Sequence, residues 1–359
     1  MWLELGEKSY EIKIGAGEID YLEQFLQEKN YSKVFVVTDE NVAEKHLAEL
    51  EEKIGDLDAN ALILAAGEAT KNFENLEIIC EEILSQNIDR KSLIIAFGGG
   101  VIGDLAGFAA SILLRGIDFI QIPTTLLAAV DSSVGGKTAI NSIAGKNLIG
   151  SFYQPKLVIC DLNFLQSLPD REFLAGYAEI LKYGLIQDEE FFHFLDQNLD
   201  KILARDTEIL LEIIKKSCQY KAKIVSQDEK EQGLRALLNF GHTFGHVLEA
   251  ELNFDGRINH GEAVGIGMLM ASKMSQNMGF LSAEKYKIIK NHIIRVGLDI
   301  DLKTVNRSWN KENLHKSLYK DKKTQDNKIT FILLNEIGSA FIKKDVNLAE
   351  FSMVINEFI

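Results

Sequence analysis

Two histidines one helical turn apart, His242 and His246, are the residues whose types and spacing most clearly indicate chemistry. They belong to a polar series whose members are spaced by 4, 3, 4 and 3 residues: Arg235, Asn239, His242, His246 and Glu249. Residues three or four apart share one face of an α-helix, so the spacing predicts a helix over residues 234–252. Apolar residues fill its other faces, and buried polar groups must be paired or must bind something. The stripe is interpreted as one wall of an active site.

A divalent metal ion is the ligand that this wall suggests. Imidazoles at positions i and i+4 can share a metal, or one can bind metal while the other moves protons. A metalloprotease helix needs glutamate directly after the first histidine, and Thr243 stands there, which excludes that class. Further candidate ligands are His260 and Glu179. The alternative is that these histidines are ordinary hydrogen-bonded core or surface residues.

A glycine-rich turn predicts a nucleotide site in the first half of the chain. The sequence Gly98-Gly-Gly-Val-Ile-Gly103 fits G-x-G-x-x-G between a predicted strand and a predicted helix. There the backbone can approach a pyrophosphate at the helix N-terminus, although a plain glycine turn is the alternative. Asp39 follows a strand where an acid often meets the adenosine ribose; a helix N-cap is the equal alternative.

Basic residues among glycines indicate phosphate recognition. Gly136-Lys137-Thr138 resembles the end of a Walker A loop, but Asp131 stands where that motif needs glycine, so ATP hydrolysis is not expected. Lys137, Lys146 and Arg115 are nevertheless suited to an anionic ligand, with a solvated surface loop as the alternative. In the second half, Glu179 and Lys182 share a helical face, which a simple surface ion pair would also explain.

The predicted secondary structure that must position these residues changes near residue 165, from alternating strands and helices to mainly helices. Alternating strands and helices predict a doubly wound, Rossmann-like parallel sheet in a domain over residues 1–165. A mainly helical domain is predicted over residues 166–359. The predicted strands are 33–38, 61–65, 92–97, 119–122 and 157–160, with hairpins at 1–5/10–14 and 329–334/339–343. The predicted helices are 73–86, 101–114, 171–186, 207–226, 234–252, 261–278 and 283–296.

Composition limits the classes of partner. The net charge of −14 argues against non-specific binding of nucleic acid. No apolar run is long enough for a membrane span, and the N-terminus lacks the pattern of a signal peptide. The three cysteines are scattered and not in metal-ligand spacing, which predicts a cytoplasmic protein.

The motifs together resemble those of the 3-dehydroquinate synthases. They occur in the family's order over residues 39–323 and include Val130-Asp-Ser-Ser-Val-Gly-Gly-Lys-Thr138, Ala178-Glu-Ile-Leu-Lys182, Asn239-Phe-Gly-His-Thr-Phe-Gly-His246 and His260-Gly-Glu262. The resemblance implies a cytoplasmic, homodimeric shikimate-pathway enzyme that uses NAD and one Zn²⁺ or Co²⁺ per subunit. It would convert 3-deoxy-D-arabino-heptulosonate 7-phosphate into 3-dehydroquinate and phosphate, with NAD reduced and reoxidised in each turnover.

Carried over position by position, the resemblance implies four sets of site residues. The metal ligands would be Glu179, His242 and His260. The catalytic residues would be His246, which handles protons, Lys137, Asp131, Lys182, Glu231 and Asn239. The substrate would meet Arg115, Asp131, Lys137, Asn147, Lys182, Lys221, Arg235, Asn239 and Lys323, or Lys322 in place of the last. The NAD contacts would be Asp39, Asn41, Glu68, Lys71, Gly99, Gly100, Val101, Asp104, Thr124, Thr125, Lys137, Lys146, Phe164 and Ser167, where the family commonly has threonine for Ser167.

Two other enzyme classes stay open at this point. Related sugar phosphate cyclases act on substrates without a carboxylate, and a metal-dependent polyol dehydrogenase would release NADH. Arg235 and Lys221 favour a substrate with a carboxylate, because a guanidinium fork matches that group. The lysine-rich phosphate loop disfavours the polyol dehydrogenase.

Overall fold

The computed structural model describes all residues except Asp56, Asp58, Gln232, Arg307 and 322–328. The strands are β1 (Trp2–Leu3), β2 (Tyr10–Gly15), β3 (Lys33–Asp39), β4 (Ala59–Leu64), β5 (Ser92–Gly98), β6 (Asp118–Pro123), β7 (Lys137–Ser142), β8 (Gly145–Phe152), β9 (Leu157–Asp161), β10 (Ile329–Glu336) and β11 (Ser339–Val346). The helices are α1 (Tyr21–Lys29), α2 (Glu40–Ile54), α3 (Phe73–Ser85), α4 (Gly100–Ile112), α5 (Leu162–Leu165), α6 (Asp170–Gln187), α7 (Glu189–Gln197), α8 (Leu199–Leu203), α9 (Thr207–Gln227), α10 (His242–Glu251), α11 (His260–Asn277), α12 (Ala283–Val296), α13 (Leu302–Val305), α14 (Lys311–Asp321) and α15 (Leu348–Phe358). Of the helices in the described part of the chain, none is long and apolar enough to cross a membrane.

A seven-stranded sheet with strand order β1-β2-β9-β6-β5-β3-β4 forms the centre of the first half. All pairs are parallel except the β1–β2 hairpin at the edge. Strand β5 is buried along its whole length, as expected of a continuous apolar run in a parallel sheet. The prediction of a doubly wound parallel sheet is confirmed.

Both faces of this sheet are covered by apolar side chains of helices. On one face, Leu22 of α1 and Leu50 of α2 pack with Val36 and Ile95 of the sheet. On the other face, Ile79 of α3 and Leu105 of α4 join a separate cluster with the opposite side chains of the same strands. Because successive side chains of a strand point to opposite faces, β3, β5 and β6 each contribute to both clusters.

The second half of the chain is mainly helical, as predicted. Helix α11 packs against α6, α10, α12 and α15, and β10 and β11 form an antiparallel hairpin. Helix α6 is buried almost continuously from Phe173 to Ile186. A helix that is buried on all sides holds its polar residues in fixed positions, and α6 carries Glu179 and Lys182.

A series of polar contacts, buried at Tyr177 and His292, anchors α6 to two neighbouring helices. The hydroxyl of Tyr177 lies 2.8 Å from His292 Nε2 on α12, and His292 Nδ1 lies 2.7 Å from Asp196 Oδ1 on α7. Burial lowers the pKa of His292 below its ordinary value, although Asp196 opposes the shift. A neutral ring donates from Nδ1 to the carboxylate and accepts from Tyr177 at Nε2. This series of contacts fixes the helix two residues from Glu179.

The described residues form two compact units. One comprises Met1–Pro169 with Thr207–Lys230, and the other comprises Asp170–Asp206 with Glu231–Ile359. The sequence predicts a second domain over residues 166–359, whereas the structure groups α9 with the first unit. The physical reason is local packing: Cys218 Sγ donates to Ala129 O, and Lys221 Nζ contacts Asp131 Oδ1 at 2.7 Å.

One predicted helix is wrong. The helix predicted over residues 234–252 is broken into a 3₁₀ segment, Leu234–Asn239, and α10. Gly241 between them has a φ of 83°, and a side chain there would meet Val264 O at 2.8 Å, so packing against α11 forces the break. The basic segment after residue 136 is not the solvated surface loop that was the alternative, because β7 and β8 pair as an antiparallel hairpin against α4.

Candidate active site

Three side chains from three helices converge in the second unit. Glu179 of α6 is fully buried, and its Oε1 lies 3.5 Å from His242 Nε2 and 3.9 Å from His260 Nε2. All three ligand atoms lie within 4.8 Å of one another. Four-coordinate zinc with bonds of about 2.0–2.2 Å holds its ligand atoms roughly 3.4 Å apart. The observed separations therefore fit a divalent metal after a small movement of the imidazole nitrogens toward the ion.

The buried carboxylate of Glu179 supports the same interpretation. Its Oε1 accepts no hydrogen bond from any residue that the structure describes, although such an atom normally has a partner. Its Oε2 forms a buried ion pair with Lys182 Nζ. Lys182 thus offsets the charge of the carboxylate, and Oε1 points to the two imidazoles, where a cation would satisfy it.

The histidine His242 is held in the form that binds metal. Burial lowers its pKa well below the ordinary value, and the charges of Lys182, His260 and His246 lower it further. Its Nδ1 lies 3.2 Å from Phe240 O, and a carbonyl oxygen only accepts hydrogen bonds. The proton therefore resides on Nδ1, and the Nε2 lone pair faces Glu179.

Close backbone packing brings the three helices together. A Cβ at Gly261, the residue after His260, would lie 2.1 Å from Ala175 Cα on α6. A Cβ at Gly267 of α11 would lie 2.1 Å from Gly241 O, directly before His242. Glycine is needed at both positions because any side chain would overlap backbone atoms. These two contacts set the separation of the metal-ligand candidates.

The predicted polar stripe survives only in part. His246 and Glu249 continue from His242 on α10, and the His246 ring lies 5.5 Å from the His242 ring and 6.1 Å from that of His260. Arg235 and Asn239 belong instead to the 3₁₀ segment, which packs against α6. Arg235 is 1% exposed, and Asn239 Nδ2 donates to Glu231 Oε1 at 3.1 Å.

In the first unit, the glycine turn has the predicted strand–turn–helix context. Strand β5 ends at Gly98 and α4 begins at Gly100, with Gly99 as an N-cap that has no capping side chain. A Cβ at Gly100 would lie 3.0 Å from Ser132 Oγ. Thr124 follows β6, the neighbour of β5, and its buried Oγ1 has no hydrogen-bond partner among the described residues. The turn is a tight cradle with an available polar atom, which fits a pyrophosphate.

A polar cluster lies beside this turn. Lys71 Nζ contacts Asp104 Oδ2 at 2.5 Å and donates to Asn147 Oδ1. Burial raises the pKa of Asp104 above its ordinary value, while Lys71 opposes the shift. Asn141 Nδ2 donates to Glu68 Oε1 at 2.6 Å, and Asn141 Oδ1 accepts from the backbone of Asn147. The structure thus places Asn147, predicted to meet the substrate, among predicted cofactor residues.

The other predicted cofactor residues are spread around the same unit. Asp39 is an N-cap of α2, since its Oδ1 accepts from the backbone N–H groups of Asn41 and Val42. The buried Phe164 ring packs on Phe97, and Ser167 Oγ lies 2.8 Å from His46 Nε2. Val101 directly follows the glycine turn, Thr125 lies just after the end of β6, and Lys146 lies in β8.

Three predicted substrate-binding residues of the first unit lie in different settings. Asp131 lies in a π-helical turn (Ala128–Ser132) and is held by Lys221 Nζ, which also donates to the Asp131 carbonyl at 2.5 Å. Lys137 is exposed at the start of β7. Arg115 is exposed and has a φ of 67°, between Leu114 at 48° and a glycine at 122°. Consecutive left-handed residues are costly, so this turn holds Arg115 in an unusual, defined position.

The comparisons with known proteins agree with this geometry. Residues 61–175 match the model of the 3-dehydroquinate synthase N-terminal region, and residues 176–324 match that of its C-terminal region. The 3-dehydroquinate synthase of Rhodospirillum rubrum is 45% identical over 97% of this chain and 91% of its own length.

The chain belongs to the 3-dehydroquinate synthase family.

Solved structures of cyclases share the whole fold of this family member. A 2-deoxy-scyllo-inosose synthase, solved with carbaglucose-6-phosphate, NAD⁺ and Co²⁺, superposes with a TM-score of 0.90 at 25% identity, covering 100% of both chains. The 2-epi-5-epi-valiolone synthase of Streptomyces hygroscopicus subsp. jinggangensis, solved with NAD⁺ and Zn²⁺, has a TM-score of 0.88 at 25% identity. That match covers 99% of this chain and 98% of the other.

Two residues that contact predicted site residues were not found from the sequence, and one prediction lies outside the described residues. Glu249 was recognised only as part of the stripe, and Asn141 only as the start of a basic segment. Their partners, His260 and Glu68, are distant in sequence, so no local pattern could reveal the contacts. Lys322 and Lys323 lie outside the described residues.

Proposed function

We propose that this chain is a 3-dehydroquinate synthase, which converts 3-deoxy-D-arabino-heptulosonate 7-phosphate into 3-dehydroquinate and phosphate. The observation that carries the proposal is the convergence of Glu179, His242 and His260 around an unsatisfied buried carboxylate oxygen. Membership of the family and the shared fold of two cyclases solved with NAD⁺ and a divalent metal support it.

We assign NAD to the glycine turn of the first unit and one Zn²⁺ or Co²⁺ to the three converging side chains of the second. When bound, these groups supply a transient hydride acceptor and a Lewis acid that polarises the substrate hydroxyl. Gly99 and Gly100 let the backbone approach a pyrophosphate, and Lys71 brings a positive charge next to that turn. Glu179, His242 and His260 leave positions open for substrate oxygen atoms.

The cationic residues are assigned to the two anionic groups of the substrate. Arg235 is almost fully buried, and a buried guanidinium fork suits the carboxylate that distinguishes this substrate from simple sugar phosphates. Lys137 and Arg115 are exposed cations suited to a phosphate group, and Lys221 orients Asp131 through two short contacts. We assign these residues to binding and orienting the substrate.

His246 is assigned the transfer of protons. It is half-buried on the same face of α10 as His242, and its ring lies beside those of His242 and His260. A histidine at this position can take a proton from the substrate or from the leaving phosphate. Asn239 Nδ2 donates to Glu231, and the amide oxygen of Asn239 is assigned to accept from a substrate hydroxyl.

The decisive experiment is phosphate release from 3-deoxy-D-arabino-heptulosonate 7-phosphate with a catalytic amount of NAD, with and without a zinc chelator. Many turnovers per NAD, no accumulated NADH, and loss of activity on chelation are expected. Accumulation of NADH would instead indicate a polyol dehydrogenase. Turnover only of a sugar phosphate without a carboxylate would move the chain to another cyclase class.

Arg235→Lys tests the assignment of the carboxylate. Lysine keeps the charge but loses the fork, so we expect kcat/KM to fall about 10- to 100-fold, the effect of about 1.5–3 kcal/mol for one hydrogen bond to a charged group. Steady-state kinetics measure the change. Arg257→Lys is the matched control, because Arg257 is half exposed and pairs with Asp255. An unchanged kcat/KM in Arg235→Lys would remove Arg235 from the substrate site.

A cytoplasmic homodimer completes the proposal. All three cysteines are free, and Cys160 and Cys218 are buried, which suits a reducing compartment. The exposed Arg115 on its left-handed turn is assigned to the phosphate of the substrate in the partner subunit. Light scattering on the purified protein should report twice the mass of the chain.

A further inference from the structure

The imidazole of His260 has a carboxylate on each side. Its Nε2 faces Glu179 Oε1 at 3.9 Å, and its Nδ1 lies 3.3 Å from Glu249 Oε2. Glu249 is 4% exposed, so its carboxylate is almost removed from solvent. It lies on α10, while His260 begins α11 and Glu179 lies on α6, so the ring is the link between elements that are distant in sequence.

We infer that Glu249 is a positioning residue that fixes the tautomer and the orientation of His260 toward the metal site. The inference rests on the metal assignment made under the proposed function. An ionised carboxylate only accepts hydrogen bonds, so the proton of a neutral His260 must reside on Nδ1. The lone pair is then on Nε2, on the side of Glu179 and His242.

The imidazole of His242 is held in the same way, but by a backbone carbonyl instead of a carboxylate. His242 Nδ1 faces the carbonyl oxygen of Phe240, which is also only an acceptor. In both rings the Nε2 lone pair is therefore directed at the same oxygen, Glu179 Oε1. The two rings are thus held by different acceptors, a backbone carbonyl at His242 and a carboxylate at His260.

A second interpretation of Glu249 is a separate metal site. His246, Glu249 and His260 also have ligand atoms within 4.8 Å of one another. The Nδ1 atom of His260 cannot both donate a proton to Glu249 and bind a metal there. If both groups held ions, His260 would have to be a bridging imidazolate, with no proton on either ring nitrogen, which is rare for a neutral-pH site. The tautomer interpretation needs no such species.

The test uses the apo protein and its metal affinity and requires no substrate. Two-bond ¹H–¹⁵N correlation spectra of ¹⁵N-histidine protein should show His260 protonated on Nδ1 in the wild type and in Glu249→Gln, whose amide oxygen still accepts. In Glu249→Ala the proton should move mainly to Nε2. Zinc affinity by chelator competition should fall about 10- to 100-fold in Glu249→Ala, as for loss of an outer partner of a metal ligand, and less than about tenfold in Glu249→Gln.

Glu251→Gln is the matched control, because Glu251 ends the same helix and contacts the backbone of Asn310 instead of a histidine. It should keep wild-type affinity. An Nδ1 without a proton in the wild type, or equal affinity in Glu249→Ala, would overturn the inference. Two bound ions per chain, with one lost in both Glu249 variants, would establish the second metal site in its place. If Glu249→Ala does not fold, the wild-type spectrum and Glu249→Gln still decide.

The outcome is independent of the substrate assignment. A protein that binds zinc with this dependence on Glu249 but releases no phosphate would retain the inference and lose the proposed reaction. A protein that turns over the substrate, but whose zinc affinity does not depend on Glu249, would retain the proposed reaction and lose the inference.

Discussion

Purified His242→Ala protein is expected to contain almost no zinc and to release phosphate at less than about 1% of the wild-type rate. Removing the imidazole leaves two of three ligands, and the effect should exceed the 10- to 100-fold loss that follows removal of an outer partner. The fold should persist, because the buried charge of Glu179 stays paired with Lys182. Metal analysis and the phosphate-release assay measure the two losses.

Thermal unfolding separates a lost ligand from a damaged fold. Zinc should raise the melting temperature of the wild type, because a ligand that binds only the folded state stabilises it. It should leave that of His242→Ala unchanged, while the two apo proteins melt within a few degrees of each other. His193→Ala is the control, since His193 is 50% exposed on α7 and pairs only loosely with Glu189. Tight zinc retention by His242→Ala would remove His242 from the ligand set.

Gly261→Ala is expected to destabilise the protein by about 3 kcal/mol or more, at or above the upper range for overpacking a well-packed core. The new Cβ would lie 2.1 Å from Ala175 Cα and 2.4 Å from Ala175 O, and backbone atoms cannot move aside as a flexible side chain can. Separating α11 from α6 moves His260 away from Glu179, so zinc affinity should fall at least about tenfold. Denaturant unfolding of the apo protein and chelator competition measure the two effects.

Gly265→Ala is the matched control four residues later on α11. Its Cβ would meet the side chain of Leu298 at 3.2 Å, a contact that small repacking relieves. The higher helix propensity of alanine, about 1 kcal/mol, offsets that contact, so its stability should change by less than about 1 kcal/mol. If Gly261→Ala behaved like Gly265→Ala, the close approach of α11 to α6 would not control the position of His260.

Much of the fold was predictable because the strongest local patterns are repeated over many residues. The strands that became β3, β5, β6 and β9 were predicted within one residue at each end, and helix α12 was predicted at its observed bounds. Apolar runs of parallel strands and the 3.6-residue period of helices are properties of the local sequence. The grouping of α9 with the first unit was not predictable, because an amphipathic period does not say which core the apolar face will meet.

The broken helix shows how tertiary packing overrides a local period. The spacing of Arg235, Asn239 and His242 matches an α-helix, and no proline marks a break. The break is imposed at Gly241, where α11 approaches so closely that the backbone adopts a φ of 83°. A glycine in a helical pattern has several explanations, and only the neighbouring helix selects among them.

The sequence by itself determined the chemical groups available to this protein: a glycine turn after a buried strand, two imidazoles one helical turn apart, and the family motifs that contain Glu179, His242 and His260. These depend on residue type and on short spacings, which local geometry converts directly into position. Only the tertiary structure decided that Glu179 Oε1 lies between two Nε2 atoms and that Glu249 holds the far side of His260. The reason is that these contacts join residues on three separate helices, whose separation is set by backbone contacts at Gly261 and Gly267 and not by any local pattern.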